Sequence, residues 1–244
     1  MVETRAAIDE TQRRWPLASA AFAELMARAP FPSVHDGLVA ESEVYSSLQG
    51  GPEFAAWRAA TARVDRPSTG PAVGVARVDD ELRIELRRPQ RRNALNVQMR
   101  DEWLDALEVA HADPDVTVVI TGAGPAFCAG GDLDEFGTFP SPEQAHTIRL
   151  QRSIGASIHA IKDRVTFRIH GPCYGSGIEL PAFASRVEAA PNTRIALPEL
   201  GLGLIPGAGG TVSITARIGK ERMTQLTLSR QPIDAQTALQ WGLV

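Results

Sequence analysis

The chain has 244 residues, of which 43% are hydrophobic and 22% charged, and its formal net charge is −4. These are ordinary globular values for one substantial domain or a modest domain with an appendage; they exclude general disorder and a coiled coil, and they offer nucleic acid no broad electrostatic attraction. Only two cysteines are present, Cys128 and Cys173, without CxxC or CxxH spacing, which argues against a disulfide scaffold and a structural zinc site and is compatible with a reducing compartment.

The first 28 residues mix Arg5, Arg13, Arg14 and Arg28 with Glu3, Asp9, Glu10 and Glu24, a balance unlike a secretory signal or an acid-poor transit peptide. No uninterrupted apolar run approaches the roughly 18 residues of a spanning helix. From Thr4 to Ala29 the composition predicts helix, with Leu17, Ala21 and Leu25 as an apolar stripe beside Phe22 and Met26, Pro16 opening the stronger segment and Pro30 stopping it. Phe31 to Pro52 reads as irregular, Glu53 to Val64 as a short helix with Phe54 and Trp57, and residues 66–71 as a linker. Two strands are expected at Val73–Arg77 and Glu81–Leu86 around an Asp79-Asp80 turn. Asn96 is placed to cap a helix that buries Trp103, Leu104, Leu107 and Ala110, and Val116–Ile120 reads as a covered strand. A second long helix through Leu150, Ile154, Ile158 and Ile161 leads into a strand at Val165–Ile169, so strand and helix alternate as in an α/β fold.

Each covered strand runs into glycines: Thr121-Gly-Ala-Gly-Pro-Ala-Phe-Cys-Ala-Gly-Gly-Asp-Leu133 and His170-Gly-Pro-Cys-Tyr-Gly-Ser-Gly-Ile-Glu-Leu180. Two readings stand side by side. The glycines are turns required by the fold, or they bring backbone N–H donors to a ligand oxygen, where a carbonyl becoming an enolate would be held most strongly as its charge develops. Neither segment matches a dinucleotide or phosphate-loop signature. Glu179, at an apolar helix start, and Glu199, within Leu197-Pro-Glu-Leu-Gly-Leu-Gly-Leu-Ile-Pro-Gly-Ala-Gly-Gly210, are carboxylates in surroundings that demand a partner or a task. Apolar surroundings and a second carboxylate favour protonation of one member, so such a pair can divide acid and base roles.

Together with Arg91-Arg-Asn-Ala-Leu-Asn96, these segments resemble, in order and spacing, the enoyl-CoA hydratase/isomerase, or crotonase, family over residues 72–244. The resemblance implies an α/β fold, a crotonase-like spiral of ββα units, here with an additional N-terminal helical segment and linker (1–71) and a shortened C-terminus. It implies a soluble, cytoplasmic homo-trimer or dimer of trimers that meets an acyl-CoA thioester, with coenzyme A as part of the substrate and no bound metal or other cofactor. The thioester oxygen is then expected at the N–H groups of Gly131 and Ser176. Glu179 would help deprotonate the water attacking C3, and Glu199 would protonate C2, in a syn hydration of the 2,3 double bond. Arg87, Arg88, Arg91, Arg92 and Ala94 are the implied CoA-binding candidates. Double-bond isomerisation and a non-catalytic acyl-CoA-binding or assembly subunit are the alternatives.

Some residues depart from the family pattern. Ser176 stands where glycine is frequent, and Arg168 is expected to face solvent, pair with a carboxylate or serve a specialised substrate. The N-terminal segment is expected to pack or assemble, with a lid or partner-binding role as the sharper alternative. His170 is assigned a structural role, Cys128 and Cys173 are read as small buried side chains, Asp132 as support for the oxyanion turn, and Asp134-Glu135-Phe136 as lining of the acyl path.

Overall fold

The computed structural model describes residues 2–64 and 70–244. The N-terminal segment is four helices, α1 (Val2–Arg14), α2 (Pro16–Ala27), α3 (Val34–Gln49) and α4 (Pro52–Ala60). Trp15 breaks the first two apart, and Pro16 enters α2 where a missing N–H costs nothing. Trp15 provides no side-chain cap; instead the Glu53 carboxylate of α4 accepts from the N–H groups of Leu17 (2.8 Å) and Ala18 (3.0 Å). Helix start and helix neighbour are thereby joined through donors that the helix itself cannot use. The buried stripe of α2 is Ala18, Phe22, Leu25 and Met26, whereas Leu17 is 51% exposed, a rotation of the expected stripe.

Residues 31–52, expected to be irregular, contain instead the sixteen-residue helix α3. Ser33 caps it by accepting from the Asp36 N–H at 3.1 Å and donating to Asp36 Oδ2 at 2.7 Å. Its inward face includes Leu38, Glu41, Ser42, Tyr45 and Leu48. Helical period is present, but the polar residues Glu41 and Ser42 on that face conceal it from a reading of hydrophobicity.

The remaining chain winds through two sheets. Strands β1 (Val73–Val78) and β2 (Glu81–Leu86) form an antiparallel hairpin, and β3 (Thr117–Gly122), β4 (Val165–Ile169) and β6 (Arg186–Ala189) continue the sheet in parallel, in the order β1-β2-β3-β4-β6. The second sheet is β5 (Pro172–Tyr174), β7 (Arg194–Ala196) and β8 (Ile233–Asp234). Thus β4 is followed by β5 and β6 by β7, each turn of the chain giving one strand to each sheet. Lone bridges Leu95–Gly131 and Cys128–Cys173 extend the same pattern toward the earlier turns. This is the α/β spiral expected of the chain.

Helix α5 (Val97–Ala112) is capped by Asn96, which accepts from the Met99 N–H at 3.0 Å. The long helix expected through Leu150–Ile161 is divided into α6 (Pro142–Gln151) and α7 (Ile154–Ala160), because Ser153 caps the second piece at the Ala156 N–H. The short α8 (Ser176–Glu179) follows β5, and α9 (Gly210–Ser229), bent at Gly219, and α10 (Ala235–Trp241) complete the described elements.

A single hydrophobic cluster includes Phe22, Leu25, Leu38 and Phe54 of the N-terminal helices together with Trp103, Phe127, Phe167 and Ile214. The Arg230 guanidinium also lies 4.3 Å from the ring centroid of Trp15. Of the linker expected at 66–71, residues 66–69 lie outside the described residues. Because Phe22 is fully buried, Phe22→Ala is expected to cost about 3–5 kcal/mol in one cooperative denaturant transition followed by circular dichroism. An early helix-melting step that leaves the main midpoint unchanged would contradict shared packing.

Candidate active site

Where the N-terminal helices meet the spiral there is a cavity of about 240 Å³ whose lining includes Gly131, Ser176, Glu179 and Glu199. The four residues named from sequence for the oxyanion hole and acid/base pair therefore share one space. Each arrives by a different local device.

Gly131 belongs to a turn fixed by a buried ion network. Asp132 accepts from Arg88 Nη2 and Arg91 Nη2, both at 2.8 Å, and Arg91 also pairs with Asp134. The Asp132 and Arg88 side chains are only 4% and 6% exposed, so these contacts are shielded from water. Asn93 accepts from the Arg88 N–H and donates to the carbonyls of Ala123 and Ala126, tying the arginine segment to the loop before Gly131. Ser176 opens α8 after Gly175, which has φ +50°. Among the described residues, neither the Gly131 nor the Ser176 N–H donates to another backbone or side-chain group.

Gly175 is required for a second reason. A Cβ there would meet Glu199 Oε1 at 2.3 Å and Glu179 Oε1 at 3.7 Å, so both carboxyls are directed at the same point beside the backbone. Glu179 Oε2 accepts from the N–H groups of Ala208 (2.8 Å) and Gly210 (2.9 Å). Glu199, at the start of a short 3-10 turn, has an Oε2 with no hydrogen-bond partner among the described residues.

Sequence reasoning missed one wall of the site. From α3, Leu38, Glu41, Tyr45 and Gln49 line the cavity at helical spacing. Glu41 is 2% exposed. Its Oε1 accepts from the Gly209 N–H at 2.7 Å, and its Oε2 accepts from the Thr211 N–H at 2.9 Å and Oγ1 at 2.7 Å. The Tyr45 ring packs against Gly207, where a Cβ would approach it to 2.4 Å. Arg149 of α6 lies 4.2 Å from the Tyr45 ring centroid and donates to the hydroxyls of Ser42 (2.8 Å) and Ser46 (3.1 Å). The available sequence signal was the Ser33-x-x-Asp36 cap followed by Leu38, Glu41, Tyr45 and Leu48 at three- and four-residue steps.

The basic segment has several structural functions. Arg88 and Arg91 bind Asp132, the Ala94 carbonyl accepts from Arg88 Nη1, Arg87 pairs with Glu85 at 2.7 Å, and Arg92 is exposed. Arg168 pairs with Glu188 at 3.0 Å on the surface, and His170 Nε2 meets the Gly124 carbonyl at 2.9 Å. Cys128 and Cys173 are buried, and burial pushes the Cys128 thiol up to about 11, away from nucleophilic use. Glu135 and Phe136 line the cavity. Among the described residues no group of three or more His, Cys, Asp or Glu is arranged to hold a metal ion, and no helix is long and apolar enough to cross a membrane.

Residues 81–244 match the family described as enoyl-CoA hydratase/isomerase. The 2,3-dehydroadipyl-CoA hydratase of Escherichia coli (strain K12) is 36% identical over 171 residues, covering 70% of this chain and 66% of that protein. The mitochondrial enoyl-CoA hydratase of Pongo abelii is 35% identical over 162 residues, 66% of this chain and 55% of that protein. A solved enoyl-CoA hydratase from Thermoplasma volcanium GSS1 superposes with a TM-score of 0.67 at 31% identity, covering 72% of this chain and 71% of that one. The chain spans between 55% and 66% of the length of the first of its curated relatives.

Burial governs the charge state of the two glutamates. It lifts Glu199 from 4.5 to about 8, and it holds Glu179 well above the ordinary carboxylate range with the nearby Glu199 charge acting in the same direction. A raised carboxylate keeps its proton in the folded state after the unfolded chain has released it. Its contribution to stability is therefore full below pH 4.5 and is lost as pH rises toward about 8. Urea unfolding from pH 4.5 to 8.5 is expected to show a smaller loss of stability in Glu199→Gln than in the wild type. Equal slopes would contradict a raised Glu199.

Proposed function

The chain belongs to the enoyl-CoA hydratase/isomerase family, and from that premise we propose that it adds water reversibly and syn across the 2,3 double bond of an enoyl-CoA thioester. The observation that supports hydration most directly is the presence of two buried glutamates, not one, directed at the same side of Gly175 in the cavity that Gly131 and Ser176 also line. Addition of water requires one group to take a proton and another to give one.

In the proposed reaction Glu179 is the base. Burial and the neighbouring carboxyls favour a proton on Glu179 as well, but two amides donate to its Oε2 and offset part of that shift, while Glu199 Oε2 receives no such donor; the proposed reaction takes Glu179 in its ionised form with the proton on Glu199. Water oxygen bonds to C3 as its proton passes to Glu179. The C2–C3 π electrons move toward the thioester, whose oxygen gains charge opposite the N–H groups of Gly131 and Ser176. Glu199 then gives its proton to C2, the carbonyl re-forms, and one proton transferred back restores the pair. A preorganised donor at such an oxygen is worth roughly 3 kcal/mol in the transition state.

The same proposal takes coenzyme A as part of the substrate and requires no resident cofactor. With Arg88 and Arg91 engaged by Asp132, the surface side chains of Arg87 and Arg92 are the ones proposed to meet its phosphates, beside the Ala94 backbone. A homo-trimer or dimer of trimers in the cytoplasm completes the proposal and rests on the family resemblance.

The purified protein is expected to hydrate one or more trans-2-enoyl-CoAs from a panel of short, long and aromatic chains. Glu179→Gln and Glu199→Gln should each lower kcat by about 10²–10⁴-fold with a small change in KM. Full activity in both variants would overturn the division of roles.

A further inference from the structure

Glu41 remains unused by the proposed reaction, although it is buried, charged when deprotonated, and contributed to the cavity by a helix outside the matched residues 81–244. Its three hydrogen bonds all go to the turn that enters α9. Along Ala208-Gly-Gly-Thr211 the amides alternate: those of Ala208 and Gly210 donate to Glu179, and those of Gly209 and Thr211 donate to Glu41. One short backbone segment is therefore held by two carboxylates through alternate amides. A shift that lengthens the bonds to one of them must reorient the amides serving the other.

We propose that Glu41 is a positioning residue of the acid/base site, holding the 208–211 turn so that its other two amides fix the carboxylate of Glu179. The inference rests on the hydratase reading for its kinetic consequence, but the mechanical coupling stands on the geometry alone. The helix α3 is itself secured by Arg149, which bonds Ser42 and Ser46 and stacks on Tyr45. Gly209, with φ +98°, and Gly210, where a Cβ would meet Glu179 Cγ at 2.6 Å, leave the turn no room for side chains that would brace it internally. Glu41 supplies the brace from outside. Its Oε2 takes the hydroxyl as well as the amide of Thr211, so both its oxygens are committed to the turn and not to solvent or substrate.

A charge at this position also acts on the pair. Burial lifts Glu41 itself from 4.5 to about 7, and once ionised it pushes both Glu179 and Glu199 toward the protonated form. The other groups bearing on Glu41 are Arg149 from α6, Thr211 from α9 and Tyr45 from its own helix. Neutralising Glu41 therefore lowers the pH at which Glu179 and Glu199 ionise, which a purely structural role would not do.

The test uses the full chain with Glu41→Gln and Glu41→Ala, each checked for cooperative unfolding and assayed well below its melting temperature. Glu41→Ala is expected to lower kcat by about 10- to 100-fold, with KM within about threefold, because displacement of a reacting group costs rate more than binding. Glu41→Gln, which keeps an acceptor oxygen, should retain more of the rate, and its pH–kcat profile should move toward acid. Amide hydrogen exchange supplies a readout independent of turnover: in Glu41→Ala the N–H groups of Ala208 and Gly210, which do not touch Glu41, should exchange faster relative to the core of α5. Unchanged exchange at those two amides in a folded variant overturns the proposal. So does an unchanged kcat and pH profile. A wild-type protein that turns over no enoyl-CoA, with exchange nevertheless accelerated in Glu41→Ala, would remove the hydratase reading and leave the coupling upheld.

Discussion

A carboxylate taken out of water must be met by donors, and in this protein three of them converge on one region. Glu41, Glu179 and Glu199 are all buried. Glu41 and Glu179 draw on the same limited supply, the amides at the start of α9, which the helix cannot satisfy internally. The positive end of the helix favours charge at that point as well. Much of the surrounding architecture follows from this sharing. The turn has to be glycine-rich so that two side chains can approach it closely, α8 has to end with Glu179 within reach of it, and α3 has to bring Glu41 to the same turn. Burial disfavours charge on all three carboxyls; amides offset part of that effect at Glu41 and Glu179, whereas Glu199 has one oxygen without a donor and is raised to about 8.

Another edge of the cavity is built with paired ions instead of backbone amides. Arg88 and Arg91 grip Asp132 and fix the turn that carries Gly131. The Asp132 charge is penalised by burial, yet the two guanidiniums outweigh that penalty and hold its carboxyl below the usual range. Such a network is costly to break by removing one member, because the remaining charges would be buried without partners. Its effect is geometric. The N–H of Gly131, a residue that lines the cavity, has no partner among the described residues, while its neighbours Gly130 and Asp132 are bonded to Leu95. The cavity lined by Gly131 and Ser176 and by Glu179 and Glu199 is the space in which the proposed reaction places the thioester.

Much of this could be read from the residues in advance, for definite reasons. The glycine junctions after β3 and β4 were visible because covered strands produce continuous apolar runs and tight turns require glycine, and Glu179 and Glu199 were conspicuous as charges in apolar company. The helix α3 was not visible. Its inward face carries Glu41 and Ser42 where a periodicity argument looks for leucine, and their partners, Thr211 and His146, are far away in sequence. The arginines could not be sorted in advance for a related reason. A dense basic cluster suggests a phosphate, but whether a guanidinium meets a ligand or an aspartate 41 or 44 residues away depends on tertiary contacts that spacing does not encode; Arg88 and Arg91 meet Asp132. In the same way Leu17 and Phe22 were equally plausible inward residues of α2 until α3 and α9 defined which side was the interior.

The central claim is that two carboxyls on one side of an enolate add the elements of water to the same face of a double bond. The most direct measurement is hydration of a trans-2-enoyl-CoA in D₂O, with the product's configuration and label read by NMR. The account predicts a 3-hydroxyacyl-CoA carrying one deuteron at C2, introduced syn to the new C3–O bond. Anti addition, or deuterium exchange with migration of the double bond and no oxygen gained at C3, would contradict it.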